Sequence, residues 1–558
     1  MNYQPPVRDL VFSLIEAAGI GRLAPYVEGL DEALMTAVLE AAGELAAGVL
    51  APLNRVGDVQ GSRLENGRVV TPDGFPAAYR AFSQGGWSGL SADPAAGGQG
   101  LPKALELAVF EMANAANMAF ALCPTLTLAA IEALHTLGTE RQKALYLPRL
   151  VSGEWPGTMH LTEPQAGSDL SQIRTTAEPQ PDGSWRITGE KIFITWGDHD
   201  MADNIVHLIL ARTPGAPEGT RGLSLFLAPA RLVGDDGTLG ARNALRAAGL
   251  EHKLGVHASP TCVMLYEGAH AELVGELNHG LPNMFVMMNN ARVAVGVQGV
   301  GVAEGARQHA LAYARERRQG ASPWSAERPA AIVDHPDVRR TLVLMKAKVE
   351  AARAICLSAG VAADLARLAA DPAERASAAR RAELLTPIAK AWSTDVGVEV
   401  ASLGLQVHGG MGFIEETGAA QYYRDARISP IYEGTNGIQA IDLVGRKLAV
   451  DGGEPVRALL TELRAIPFDL GGDMAAVGAR VSLGIEAVER AAAWLAAHPG
   501  EDALAGASVF LKLFGDVIGG ALLARQAMAA QRRLDAGEGT PTGCAARRPW
   551  PRSMPIRC

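Results

Sequence analysis

The apolar residues of this chain change their spacing twice, from three-to-four to two and back again. That order constrains the fold more than any other feature of the sequence. Over residues 31–50 and 104–150 apolar positions recur every three or four residues, and Leu105, Ala108, Val109 and Met112 form one such stripe. This is the pattern of amphipathic helices. Pro102 stands where the second segment starts and Gly138 where it breaks. The Gly-rich stretch 87–102 is expected to be neither helix nor strand. Near Thr158 the period becomes two. Trp185, Ile187, Ile192 and Ile194 alternate with other residues, Pro181-Asp182-Gly183 offers a turn, and short runs at 205–210, 223–227 and 262–266 read as strands. About 120 residues of this kind predict a small antiparallel sheet or barrel. Helical spacing returns over 282–318, 335–368 and 373–405, with short breaks at Gln319-Gly320 and Asp371-Pro372.

A further helical module is expected over 451–538, where Val477, Val481, Ile485, Val488, Ala492 and Leu495 share one face. The expected class is therefore α+β. A helical N-terminal domain (1–157) precedes a central antiparallel β-domain (158–281). A C-terminal four-helix bundle (282–450), the extra module (451–538) and an irregular tail (539–558) follow. No strand–helix alternation runs through the chain, which argues against a doubly wound sheet. Neither a complete G-x-G-x-x-G after a strand nor a G-x-x-x-x-G-K-[ST] loop is present.

Composition narrows the function. With 48% hydrophobic and 20% charged residues among 558, the chain can build several cores. A net charge of −9 disfavours general binding to nucleic acid or anionic membrane. Cys123, Cys262, Cys356, Cys544 and Cys558 lie far apart, which excludes a disulfide framework and a cysteine-rich metal site, and no metal is expected. The apolar run at 118–131 contains Pro124 and is short, so no membrane span is expected. The first ten residues do not resemble a signal peptide, and a cytoplasmic location is expected.

Four segments carry chemistry. Residues 159–169 (MHLTEPQAGSD) form a strand end followed by hydroxyl and small residues whose amides and hydroxyls could donate to a heterocycle or phosphate; a capped turn is the plainer alternative. Residues 189–195 (GEKIFIT) place Phe193 and Thr195 on one strand face, which an ordinary half-buried strand would also do. Residues 406–413 (QVHGGMGF) end a helix in glycines, either for close approach of a ligand or as a simple cap. Residues 427–439 (RISPIYEGTNGIQ) set Glu433 between an apolar stretch and Gly434. A carboxylate in such surroundings has a raised pKa suited to a general base, although most loop glutamates are solvated.

Together, in this order and spacing, these four segments resemble the acyl-CoA dehydrogenase flavoprotein family over residues 80–450. The carrying motifs are L-T-E-P-x-A-G-S-D at 161–169, G-x-K-x-F-I-T at 189–195, the glycines at 409–412 and I-Y-E-G-T-N-x-I-Q at 431–439. The long N-terminus, the module after 450 and residues 334–340 (DHPDVRR) look like the enlarged subgroup that includes 3-methylmercaptopropionyl-CoA dehydrogenase. The resemblance implies α,β-dehydrogenation of an acyl-CoA thioester with FAD. Glu433 would take the α-proton while the β-hydrogen leaves as hydride to flavin N5, and an electron-transfer flavoprotein would receive the electrons. It also implies that Met159, Leu161, Thr162, Phe193 and Thr195 line the flavin, and that Ser168 lies near cofactor phosphates and the CoA. Arg317, Gln406 and Gly410 would hold the FAD of a neighbouring subunit, implying at least a homodimer. Thr435 and Asn436 would lie at the cofactor beyond the base, and Arg292, Tyr432 and Gly434 on the substrate side, with Arg292 a buried cation close to Glu433 that pulls its pKa back down.

Three departures from the family pattern stand out. Phe193 replaces a common tryptophan, Gly437 a common glutamine, and residues 318–321 (RQGA) lack Thr-Phe-Gly. An acyl-CoA oxidase using oxygen is one alternative. A flavoprotein that binds nucleic acid through its extra module is another, disfavoured because 451–538 holds eight basic and twelve acidic side chains. Arg547, Arg548, Arg552 and Arg557 make only the tail basic.

Overall fold

The computed structural model describes residues 3–468 and 470–537, so the tail with Cys544, Cys558 and its arginines lies outside the described residues. The N-terminal part comprises α1 (Val7–Phe12), α2 (Glu32–Leu45), α3 (Ala51–Gln60), the hairpin β1 (Arg63–Glu65) and β2 (Arg68–Val70), α4 (Phe75–Gln84), α5 (Lys103–Leu137) and α6 (Glu140–Val151). Local signals set these ends. Asp31 caps α2 by accepting from Leu34 N at 2.7 Å, and Thr139 and Gln142 form a capping box at the start of α6. Helix α5 bends at Asn117, whose Oδ1 accepts from Phe120 N at 3.1 Å. The Gly-rich stretch before α5 departs from expectation. It makes two 3-10 turns, Trp87–Gly89 and Pro94–Ala96, and buries Trp87 and Leu90.

The β-domain follows as β3 (Gly157–His160), β4 (Thr176–Pro179), β5 (Trp185–Thr195), β6 (Val206–Arg212), β7 (Leu223–Pro229), β8 (Arg231–Val233), β9 (Leu239–Arg242), β10 (Leu245–Leu250) and β11 (Thr261–Val274). Strands β11, β5, β4, β6 and β7 pair in a closed ring, because the long β11 pairs with β5 along most of its length and with β7 at its end. Closure removes exposed edges. The expectation of a purely antiparallel domain needs one correction: β3 and β4 each run parallel to β6. Alternation sorts the core, with Ile209, Ala211, Phe226 and Ala228 on one face. Leu208, Leu210, Leu225 and Leu227 on the other meet α6 and the first turns of the next helix.

That helix is α7 (Gly280–Glu316), followed by α8 (Pro336–Leu368), α9 (Pro372–His408), α10 (Ala419–Ala426) and α11 (Asn436–Gly445). The three long helices pack with α5 as a bundle. The break between α7 and α8 is longer than the sequence suggests, spanning 317–335 with a bridge between Arg318 and Ala331. The extra module is α12 (Glu454–Phe468), α13 (Ala475–Ala497) and α14 (Glu501–Asp535). Val481, Ile485, Val488 and Leu495 bury the expected stripe of α13, and α14 lies on α8, α9 and α11.

Among the described residues, three helical stretches are long and apolar enough to cross a membrane by length and composition, namely Glu32–Gln60, Lys103–Leu137 and Glu501–Asp535, which corrects the reading that the apolar runs are too short for that. In α5 the apolar window is 89% buried inside the protein. A helix surrounded by other helices must be apolar on every side, just as a spanning one must. Its Glu111 pairs inside the bundle with Arg353 of α8, at 2.9 and 3.0 Å.

Candidate active site

The first group of candidate residues comes together where β3 leads into its loop beside β5. Ile192 N donates to Thr162 O at 2.9 Å, and Thr158 Oγ1 donates to Thr195 O at 2.8 Å. Beneath them sits an ion pair that motif reading passed over. Lys191 Nζ donates to Glu163 Oε1 at 2.8 Å and to Leu161 O at 2.9 Å, and both side chains are buried. Glu163 also accepts from the backbone N–H groups of Arg174 (2.7 Å) and Thr175 (3.1 Å). Burial alone would raise this carboxyl's pKa, but Lys191 and the donors around it pull it down to about 2. Burial lowers Lys191 to about 8. The pair thus ties the loop 161–163 to the strand carrying Phe193. The glycine of G-x-K has a steric reason: a Cβ on Gly189 would lie 2.9 Å from Thr175 Cα.

Simple alternation fails at the end of β5. Lys191 faces Met264 and Ile194 faces Cys262, leaving an extra residue between them, and Phe193 has φ +57°. The bulge leaves Phe193 57% exposed while Met159 and Leu161 stay buried and Thr162 and Thr195 are half-buried. An exposed aromatic next to two hydroxyls suits a flat heterocycle with polar edges. Ser168 is exposed on the same loop.

The second group surrounds Glu433. This residue follows the turn after α10 with φ +55°, and Gly434 continues it with φ +84°. A Cβ on Gly434 would come within 2.5 Å of Gln439 Nε2 and 3.7 Å of Arg292 on α7. Burial raises the Glu433 pKa to about 7, and the Arg292 and Lys390 cations pull it back toward the ionised form. The Glu433 side chain is half-buried, and its N–H has no acceptor among the described residues. Arg292 is buried and held by Asn289 at 3.2 Å. Lys390, on α9, was not anticipated. The only signal was a lysine inside the apolar run 387–392 (PIAKAW).

Two expected contacts point elsewhere. Tyr432 spends its hydroxyl on Gln298 of α7 rather than on the substrate side. Asn436, expected at the cofactor, is committed to α9: its Nδ2 donates to Ala391 O (3.0 Å) and Asp395 Oδ1 (2.8 Å), and its Oδ1 accepts from Lys390 Nζ (2.9 Å). The physical reason is its place as first residue of α11, where it docks that helix on α9. Thr435 caps α11, its Oγ1 accepting from Ile438 N at 3.2 Å.

Arg317, Gln406 and Gly410 form a third group, exposed where α7 and α9 end together. The rings of Tyr313 and His408, stacked at 4.4 Å, hold these helix ends side by side. Beyond them Met411, Phe413 and Ile414 are exposed, Phe413 by 91%. Helix α7 connects the first two groups, since Met287 and Ala291 share a core with Met159 and Leu161 and the next residue is Arg292.

Sequence profiles of the acyl-CoA dehydrogenase N-terminal, middle and C-terminal domains match residues 36–154, 158–268 and 278–448. The chain belongs to the acyl-CoA dehydrogenase family. Residues 454–547 match a profile described as acetyl-CoA dehydrogenase C-terminal like, which covers the extra module. A 3-methylmercaptopropionyl-CoA dehydrogenase of Ruegeria pomeroyi is 50% identical over 548 residues, covering 96% of this chain and 93% of that protein. This bears out the resemblance to the enlarged subgroup. Among solved structures, Caenorhabditis elegans ACDH-11 in complex with C11-CoA superposes with a TM-score of 0.81 at 20% identity, over 98% of this chain and 90% of that one. An acyl-CoA dehydrogenase of Bacillus anthracis complexed with FAD gives 0.74 at 21%, over 94% and 85%. At these identities the two structures speak for the acyl-CoA dehydrogenase fold.

Proposed function

We propose that this acyl-CoA dehydrogenase binds FAD and desaturates a short acyl-CoA of the 3-methylmercaptopropionyl type, with Glu433 as the base. The observation that carries the reading is Glu433 itself, a half-buried carboxylate with a pKa of about 7, set on a strained turn beside two cations. Such a group is partly ionised at neutral pH and basic enough to take a weakly acidic proton. FAD bound against Phe193, Thr162 and Thr195 would supply the acceptor for the β-hydrogen. The chain's own contribution is to hold the acyl group between that wall and Glu433 and to keep water away. The unpaired N–H of Glu433 is free to donate to the thioester carbonyl, where negative charge develops as the proton leaves. The 50% identity over nearly the whole of both chains supports the substrate class.

The exposed surface at Arg317, Gln406, Gly410 and Phe413 suits a second copy of the chain whose cofactor reaches across the interface, so the working unit is at least a homodimer. Electrons would pass to an electron-transfer flavoprotein, and the location is cytoplasmic. Anaerobic titration with 3-methylmercaptopropionyl-CoA and butyryl-CoA is the direct test. Bleaching of the flavin band by the first at lower concentration is expected, and a band that neither thioester bleaches would overturn the proposal. In Glu433→Gln the flavin should remain bound while its reduction slows by about three orders of magnitude or more.

A further inference from the structure

Two cations on different helices, Arg292 and Lys390, act on Glu433, and the second has no role in the chemistry described so far. Lys390 is fully buried in the middle of α9. Among the described residues its Nζ meets one acceptor, Asn436 Oδ1 at 2.9 Å. Asn436 stands three residues beyond Glu433 and opens α11, so the bond joins the buried ammonium to the turn that carries the carboxylate. Asp395, one turn further along α9, holds the other side of Asn436 at 2.8 Å. Arg292 of α7 also approaches this turn, 3.7 Å from where a Cβ on Gly434 would stand.

We infer that Lys390 is a positioning residue for the base: its buried charge, anchored through Asn436 to the turn that carries Glu433, acts with Arg292 to keep the carboxylate ionised and in place. The inference rests on the reading of Glu433 as the base. The charged and titratable groups around that turn are Arg292 on α7, Lys390 and Asp395 on α9, Asp442 on α11, Arg446 just after it, and the neighbouring Tyr432. Of these, Arg292 and Lys390 are the ones that stabilise the anion directly. Burial of Lys390 lowers its own pKa to about 7, with Glu433 and Asp395 working against that fall. A buried lysine without a carboxylate to face would be costly, which is the reason to expect a role beyond packing.

The test uses the FAD-loaded enzyme. The pH dependence of single-turnover flavin reduction is measured for wild type, K390Q, K390M and K390R, with flavin content and Tm recorded for each. In the two neutral variants the acid limb should move up by about one pH unit, because a cation facing the anion has been lost. K390R should restore the limb. A folded, flavin-loaded K390Q or K390M with the wild-type limb would overturn the inference. If both neutral variants fail to fold, K390R decides: an upward shift despite the retained charge overturns it, and a limb in place supports it. E433Q is run alongside. Rapid flavin reduction in E433Q would mean that the base has been misassigned, a failure distinct from that of Lys390.

Discussion

Glu433 shows how one residue acquires a property that its type does not have in water. Burial raises its pKa to about 7 while Arg292 and Lys390 limit the rise. Because only the ionised carboxylate accepts a proton, flavin reduction should accelerate with pH and level off above about 7; stopped-flow bleaching that stays flat from about pH 5 to 9 would exclude this group as the base. The stability effect has the same origin. The folded pKa lies above the ordinary 4.5, so Glu433 disfavours the fold increasingly as pH rises from 4.5 through about 7. Glu163 runs the other way. Its pKa is held at about 2, so the stability it lends is complete above about 4.5 and disappears as pH falls through 2. Glu163→Gln leaves Lys191 buried without its anion, which should cost about 3–5 kcal/mol. Loop 161–163 loses its tie, so flavin affinity should fall as well. Calorimetry and flavin fluorescence check the two effects separately, and an unchanged Tm would show that the pair is not holding the fold.

At the scale of elements, the joints between helices are made by unusual residues at close approach. Gly515 and Gly519 of α14 face Trp392 of α9, and a Cβ on Gly515 would lie 2.4 Å from the indole. Trp392 Nε1 in turn donates to Asp516 Oδ1 at 2.9 Å. Gly515→Val should therefore lift α14 from the bundle, raising amide exchange in α13 and α14 while leaving the β-domain protected. Unaltered exchange in α14 would mean that the module is held elsewhere. The helices themselves were legible from apolar spacing, as in α7, α8 and α13. The bulge at Phe193 was not, because it depends on how β5 registers against β11 rather than on anything in G-E-K-I-F-I-T. The contacts of Asn436 were not legible for a similar reason: its motif position says nothing about α9, a partner some forty residues earlier in the chain.

For the whole molecule, the exposed end of α9 is the feature that a lone chain leaves unexplained. Phe413 at 91% exposure, with Met411 and Ile414 beside it, is costly to leave in water. Phe413→Asp should shift the protein toward monomer in sedimentation and lower its flavin content together, since Arg317, Gln406 and Gly410 share that surface. A flavin-loaded monomer would break the link between assembly and cofactor.

Period and motif order are local properties of the chain, and they were sufficient for the helix–strand–helix plan, the family resemblance and the choice of Glu433. What the tertiary structure alone decided is the burial of two lysines, Lys191 against Glu163 and Lys390 near Glu433. A lysine has the same letter in a solvated loop and in a bundle core. Its burial, and therefore its charge and its effect on a neighbour, depends on which distant helix covers it.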